Sequence, residues 1–230
     1  MAGTFKDLDS VTDKTTTRTL LHEAIPLTGS IVSGTYGNSK ATEENIKNFA
    51  HGMFQSVYDY PYLSSSANHI FDVTVGYSAA SGLSSSTNVQ NQKKINIYNE
   101  MSQLLMGYSS SGEILEFDQD GNLAAGGTKM RECFFMNFSR LLVKDEIKKG
   151  TFNLELGVSG AVNSSTFKRR IKLTDKGAAS NFLINSPSGE YGILYADSTA
   201  GTNLAAINGS TVADDGNMKV GLIFYQAGIA

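Results

Sequence analysis

The chain has 230 residues, 40% hydrophobic and 18% charged, with a formal net charge of -3, a size that suits one large β-rich domain or two small ones with a real core. That balance argues against non-specific nucleic-acid binding, which wants a concentrated positive field, and the single cysteine, Cys133, excludes an internal disulfide. Gly 23 against Pro 3 indicates tight turns rather than proline-rich linkers.

Residues 1–19 are polar, end in Thr15-Thr16-Thr17-Arg18-Thr19, and read as an arm or an extended leading strand. Residues 20–230 read as a single β-rich domain. The first residues, MAGTFKDLDS, lack the basic and apolar regions of a signal peptide. No window approaches the roughly 18 continuous apolar residues of a membrane helix. The expectation is a soluble protein made in a reducing cytosol.

Leu20 to Ile25 is apolar and stops at Pro26, and residues 28–48 read as a surface loop with a short helical turn near Thr42–Asn48. Phe54, Tyr58, Tyr60 and Tyr62 then crowd around Pro61, ahead of Ser64-Ser65-Ser66. Proline favours extended or turn backbone there, so the rings cannot share one helix face. They either fill this subunit's own core or meet another subunit, where Tyr and Phe serve as anchors. These four are the candidate interface residues.

Phe71, Val73 and Val75 alternate with Asp72 and Thr74, which predicts a half-buried strand over Ile70–Val75. A Ser-rich loop, 79–91, follows. Ile97, Met101, Leu104 and Leu105 fall at i, i+4, i+7 and i+8 with Gly107 as a stop, which predicts an amphipathic helix near residues 93–106. Glu113–Phe117 reads as a strand and Asp118–Asn122 as a turn with Gly121. Glu132–Leu142 is the most apolar strand candidate, and Asp145–Lys149 reads as one helical turn closed by Gly150. Phe152, Leu154, Leu156 and Val158 give the cleanest period of two. Further strands are expected at Lys168–Leu173, Tyr191–Ala196 and Val220–Tyr225, with a loop at 197–217. The predicted class is a β-rich α+β fold of antiparallel, sandwich-like sheets with one clear helix.

No chemical motif is complete. Asp118-x-Asp120-x-Asn122 invites calcium, but an EF-hand loop needs glycine at position six and glutamate at position twelve, where Leu123 and Lys129 stand. A hairpin turn explains the spacing. Gly157-Val158-Ser159-Gly160-Ala161 lacks the last glycine of a nucleophile elbow and the helix that should follow. His22, His51 and His69 are the only histidines, no two within a helical turn, and Cys133 stands alone, so no metal spacing exists. Cys133 reads as a buried inert thiol. Gly29-x4-Gly34 is followed by Thr35-Tyr36 where a phosphate loop needs Lys then Ser or Thr. Lys148-Lys149 and Lys168-Arg169-Arg170 read as solvated strand ends. The expectation is a chain with no catalytic, cofactor-binding or metal residues, and no enzyme.

Four phrases carry a resemblance: NIKNFAHGMFQSVYDYPYLSSSANHIFDVTVGY, KKINIYNEMSQLLMGY, ECFFMNFSRLLVKDEIKKGTFNLELGV and INSPSGEYGILY. Over residues 20 to 230 the chain resembles virion structural proteins of T4-like and marine phages with contractile tails. The resemblance implies an assembly subunit of the tail baseplate region that meets copies of itself and other virion proteins, with no nucleic acid, membrane or cofactor. It implies a place in the virion, after assembly in the host cytoplasm. A head or neck position, or a receptor- or glycan-binding module of the tail, are the alternatives. The chain ends in the apolar run VGLIFYQAGIA, which predicts either a fragment or a neighbouring subunit that covers that end.

Overall fold

A computed structural model describes residues 45–49, 53–85, 89–121, 126–139, 145–158, 169–198 and 218–230. It is a β-rich α+β fold of two antiparallel sheets and a single α-helix among the described residues. The first sheet runs β1 (Ile46–Asn48), β2 (Phe54–Tyr58), β3 (His69–Tyr77), β4 (Glu132–Phe138), in that order. The second comprises β5 (Asn153–Val158), β6 (Arg169–Thr174), β7 (Leu183–Ser186), β8 (Gly189–Ser198) and β9 (Met218–Phe224). Strand β8 is its spine, pairing with β6 and β7 and also with β9.

Several expectations need correction. The helical turn near Thr42–Asn48 is a strand where it is described, because Ile46 to Asn48 pair with Val57 to Gln55. Asn45 closes that hairpin by donating Nδ2 to the Tyr58 carbonyl at 3.0 Å. The stretch Glu113–Phe117 is not a strand and forms only an isolated bridge, Tyr108 to Ile114. Its amides go to the helix end instead: Leu115 N–H donates to Gly107 O at 3.1 Å and Phe117 N–H to the Tyr98 hydroxyl at 3.3 Å. Asp145–Lys149 is a turn rather than a helical one, since Ile147 N–H donates to Tyr225 O at 3.0 Å, although Gly150 does close it at φ 75°. Strand β4 stops at Phe138, short of the expected Leu142; residues 140–144 lie outside the described residues. So do the arm 1–19, the stretch Leu20–Ile25 and most of the loop 197–217, whose first two residues extend β8.

Helix α1 (Val89–Leu105) starts earlier than the pattern suggested, and its buried face is Tyr98, Ser102 and Leu105. Leu104, expected on that face, is 55% exposed. Ser102 replaces an apolar side chain because its hydroxyl donates to the Leu115 carbonyl, which lets the 113–117 segment approach the helix closely. On the other side, a Cβ on Gly76 would lie 2.8 Å from Tyr98 N, so only glycine lets α1 rest on β3.

The core has two parts, and β9 feeds both. Leu222 and Phe224 join Tyr98, Leu105, Phe117, Phe135 and Tyr191, while Ile223 and Tyr225 join Phe138, Ile147, Phe152 and Leu194. Successive strand residues point to opposite faces, so the end of β9, Leu222–Phe224, is continuously apolar because both its faces are covered there. Strand β4 also feeds both parts, with Phe135 on one side and Phe138 on the other, although Phe134 is exposed. The chain itself joins the sheets. Met136 N–H donates to Ala230 O at 2.7 Å, Ala230 N–H to Met136 O at 2.9 Å, and Phe138 N–H to Gly228 O at 2.9 Å. The apolar run 220–230, for which either a fragment or a covering neighbour was expected, lies against β4 of the same chain at residues 228–230, with Ile229 only 6% exposed.

Candidate interaction surfaces

The four candidate aromatics sit on one strand and its loop but do not form one patch. Phe54 opens β2 and is 36% exposed; its ring lies 4.6 Å from Phe49, which Lys47 covers at 4.9 Å. Tyr58 closes β2 and packs on Tyr62 at 6.3 Å and His69 at 5.5 Å. Tyr60 is 38% exposed beyond them. None of the four belongs to either core cluster. Tyr58 and Tyr62 are half-buried in a local cluster, and Phe54 and Tyr60 face outward at opposite ends of the strand.

The loop that carries Tyr60 and Tyr62 is held at its neck. Asp59 accepts from Asn68 N–H at 2.6 Å and from Asn68 Nδ2 at 2.9 Å, and Asp59 N–H donates to Asn68 O at 3.1 Å. Burial acts to raise the Asp59 carboxyl, but these bonds outweigh it and hold it below the usual carboxylate range. The loop thus presents Tyr60, Leu63 and the exposed Ser64-Ser65-Ser66 from a fixed frame.

His69 is beside acidic and hydroxyl partners, yet the order is wrong for nucleophilic catalysis. Asp72 Oδ1 accepts from Ser56 Oγ at 2.5 Å and contacts His69 Nε2 at 2.9 Å. The serine faces the carboxylate and not the imidazole, whereas an activated serine must donate to its base. Ser56, though polar, is only 5% exposed, and Asp72 is the reason it can be buried.

Asp118 settles the calcium question locally. Its carboxylate is fully buried and Lys129 Nζ lies 2.5 Å from Oδ2, while Asp120 N–H donates to Oδ1 at 3.1 Å. A lysine in the position of a cation, with an antiparallel bridge from Asp118 to Lys129, makes this a stapled hairpin. Asn122 lies outside the described residues, as do Ser159 to Ala161 and the Gly29–Gly34 stretch. Among the described residues no group of three or more His, Cys, Asp and Glu could hold a metal ion. Cys133 is partly buried, and burial, helped by Glu132, pushes its thiol up to about 12, so it stays a thiol at neutral pH.

The most exposed of the large hydrophobic side chains in the described residues is one the sequence reading did not single out. Phe134 is 72% exposed beside Phe135, which is 4% exposed. Period two on β4 forces the two rings to opposite faces, and helix α1 covers only the Phe135 side. Phe134 lies directly across from Val75. It lines a shallow depression with Val73, Val75, Phe54 and Lys94, whose Nζ donates to Met53 O at 3.3 Å. The signal was present in the doublet Phe134-Phe135, since a strand cannot bury both rings in one core.

No protein-family model, no curated protein and no solved structure matches the chain.

Proposed function

We propose that the chain is a non-enzymatic structural subunit of a contractile-tailed phage virion, in the baseplate region, that works by repeated contact with copies of itself and with other virion proteins. The supporting observation is the exposed Phe134 ring, set in a shallow depression lined by Phe54, Val73 and Val75 together with Gln55, Thr74 and Lys94. Exposed aromatic rings on rigid elements serve as interaction anchors, because they lose little entropy when they are buried. The wording of the four sequence phrases supports the phage assignment. In the baseplate reading, Phe54 and Tyr60 are contact residues, and Tyr58 and Tyr62 brace the loop behind Tyr60.

The test is sedimentation of the pure chain at micromolar concentration, alone and with tail components. The reading expects oligomers or co-sedimentation, lost in Phe134→Ser while the variant stays folded. A wild-type chain that remains monomeric and joins no tail component overturns it.

One observation favours a second reading, a glycan-binding module of the tail. Tyr60 stands on a fixed loop next to three exposed serines, and ring faces with nearby hydroxyls suit sugar rings. Saturable binding of an oligosaccharide by the monomer, abolished in Tyr60→Ala, would favour it over assembly.

A further inference from the structure

We propose that the cleft between the end of α1, the 107–115 loop and the β7–β8 turn binds a short neutral oligosaccharide. The proposal goes beyond the assembly reading, and its site shares no residue with the Tyr60 loop.

Three elements build the cleft, and hydrogen bonds hold them in place. The last carbonyls of a helix have no partner within it, and the β7–β8 turn caps two of those in α1. Ser188 Oγ donates to Leu104 O and Ser186 Oγ to Leu105 O, both at 2.5 Å. Gly107 turns the chain out of the helix at φ 85°, and a Cβ there would lie 3.3 Å from Pro187, so glycine lets the turn seat closely. The loop then folds back on itself, with Leu115 N–H donating to Gly107 O at 3.1 Å and Ser109 N–H to Glu113 O at 2.8 Å. The cleft is therefore preformed, and its volume of about 750 Å³ falls in the range of small-molecule sites.

Its lining selects the ligand class. Met106 and Leu115 give it an apolar part, and Tyr108 adds a ring that is 57% exposed. Gln103, Asn185 and Ser110 add two carboxamides and a hydroxyl. The Tyr191 hydroxyl, 2.7 Å from Asn185 Oδ1, orients one carboxamide. The Gln103 and Ser110 side chains make no hydrogen bond to another described residue. Among the described residues no charged side chain lines the cleft, so an ion entering it would lose water without gaining a counter-charge. A wholly apolar ligand would strip water from the carboxamides and leave them unpaired. A sugar meets both demands. Its hydroxyls donate and accept like the groups that face them, and its C–H face covers an aromatic ring. A concave site of this size takes such a ligand more readily than the broad surface of a folded partner.

The test is an NMR titration of the full chain with maltotriose, cellotriose, chitotriose and mannotriose, read at the side-chain amide signals of Gln103 and Asn185. Saturable shifts at millimolar concentration are expected with at least one of these sugars. Tyr108→Ala, at an exposed position, keeps the fold and weakens that binding about tenfold. Gln103→Leu, also exposed, weakens it several-fold. No saturable shift with any of the sugars overturns the proposal. Binding that survives both Tyr108→Ala and Gln103→Leu removes the cleft as its site. Loss of binding in Tyr60→Ala but not in Tyr108→Ala overturns the proposal in favour of the Tyr60 loop. Tighter binding of acidic trigalacturonate, or of a capped Gly-Ser-Gly-Ser peptide, overturns the ligand class. None of these failures touches oligomerisation through the Phe134 face, so sedimentation judges the assembly reading separately.

Discussion

Tyr225 donates its fully buried hydroxyl to Asp175 Oδ2 across 3.1 Å, joining the end of β9 to the turn after β6. Asp175 is 1% exposed and also accepts from Gly150 N–H at 2.7 Å and Phe152 N–H at 2.9 Å. One carboxylate thus fixes the turn before β5, the exit of β6 and β9 together. Asp175→Ala should cost roughly 2–4 kcal/mol, because it leaves two buried donors, Phe152 N–H and the Tyr225 hydroxyl, unpaired and frees the Gly150 amide. Tyr225→Phe, which removes a single bond, should cost about 1 kcal/mol. Urea unfolding measures both.

The same carboxylate predicts a pH dependence. Burial raises the Asp175 carboxyl above its ordinary value, and the three hydrogen bonds offset this only in part. The folded value lies above the unfolded one, so the stability linked to this group is full below the ordinary carboxylate range and falls as pH rises through the folded value. The stability advantage of wild type over Asp175→Asn should shrink as pH rises across that interval. A constant difference at all pH values would contradict the assignment.

Asp118 runs the other way. Burial alone would raise its carboxyl, yet the bonds from Lys129 and Asp120 bring it below the usual range. Its contribution is present above the ordinary carboxylate value and is lost as pH falls through the folded one. Lys129→Met strands a buried charge, and should destabilise by about 3–5 kcal/mol at neutral pH, with less effect in acid. Thermal unfolding between neutral and acid pH reads both parts.

Neighbouring phenylalanines give the sharpest packing test. Phe135→Ala should cost about 3–5 kcal/mol as a core truncation, while Phe134→Ser should stay within about 0.5 kcal/mol. Equal losses would mean that the two rings do not lie on opposite faces.

Gly76→Ala should destabilise by about 1–3 kcal/mol, since the added carbon would lie 2.8 Å from Tyr98 N and 3.0 Å from the Phe135 ring. Gly82→Ala meets nothing within 4 Å and should be near neutral. The contrast in melting temperature checks that α1 rests directly on β3.

The strands that could be read in advance are those whose own side chains show their surroundings. Strand β3 shows its period of two in Phe71, Val73 and Val75 against Asp72 and Thr74, and the run Leu222–Tyr225 is apolar because residues on both of its faces are buried. Strand β2 hides its nature because the usual polarity is inverted: Ser56 is buried on Asp72 while Phe54 faces out. Strand β1 has three residues, too few for a period to register, and β7 is held by contacts remote in sequence, with Ser186 Oγ donating to Leu105 O. Helix α1 was legible, but its buried stripe was not, since Ser102 depends on the Leu115 carbonyl. Among the candidate residues, the sequence showed Phe54, Tyr58, Tyr60 and Tyr62 close together around Pro61. It could not show that Phe54 and Tyr60 lie at opposite ends of β2, or that Phe134 is left exposed beside Val75.

Cryo-electron microscopy of intact contractile-tailed particles carrying this chain tests the assembly account most directly. The account predicts repeated copies at the baseplate with Phe134 and Tyr60 buried against neighbouring subunits. Particles that lack the chain, or copies in which both rings face solvent, would contradict it.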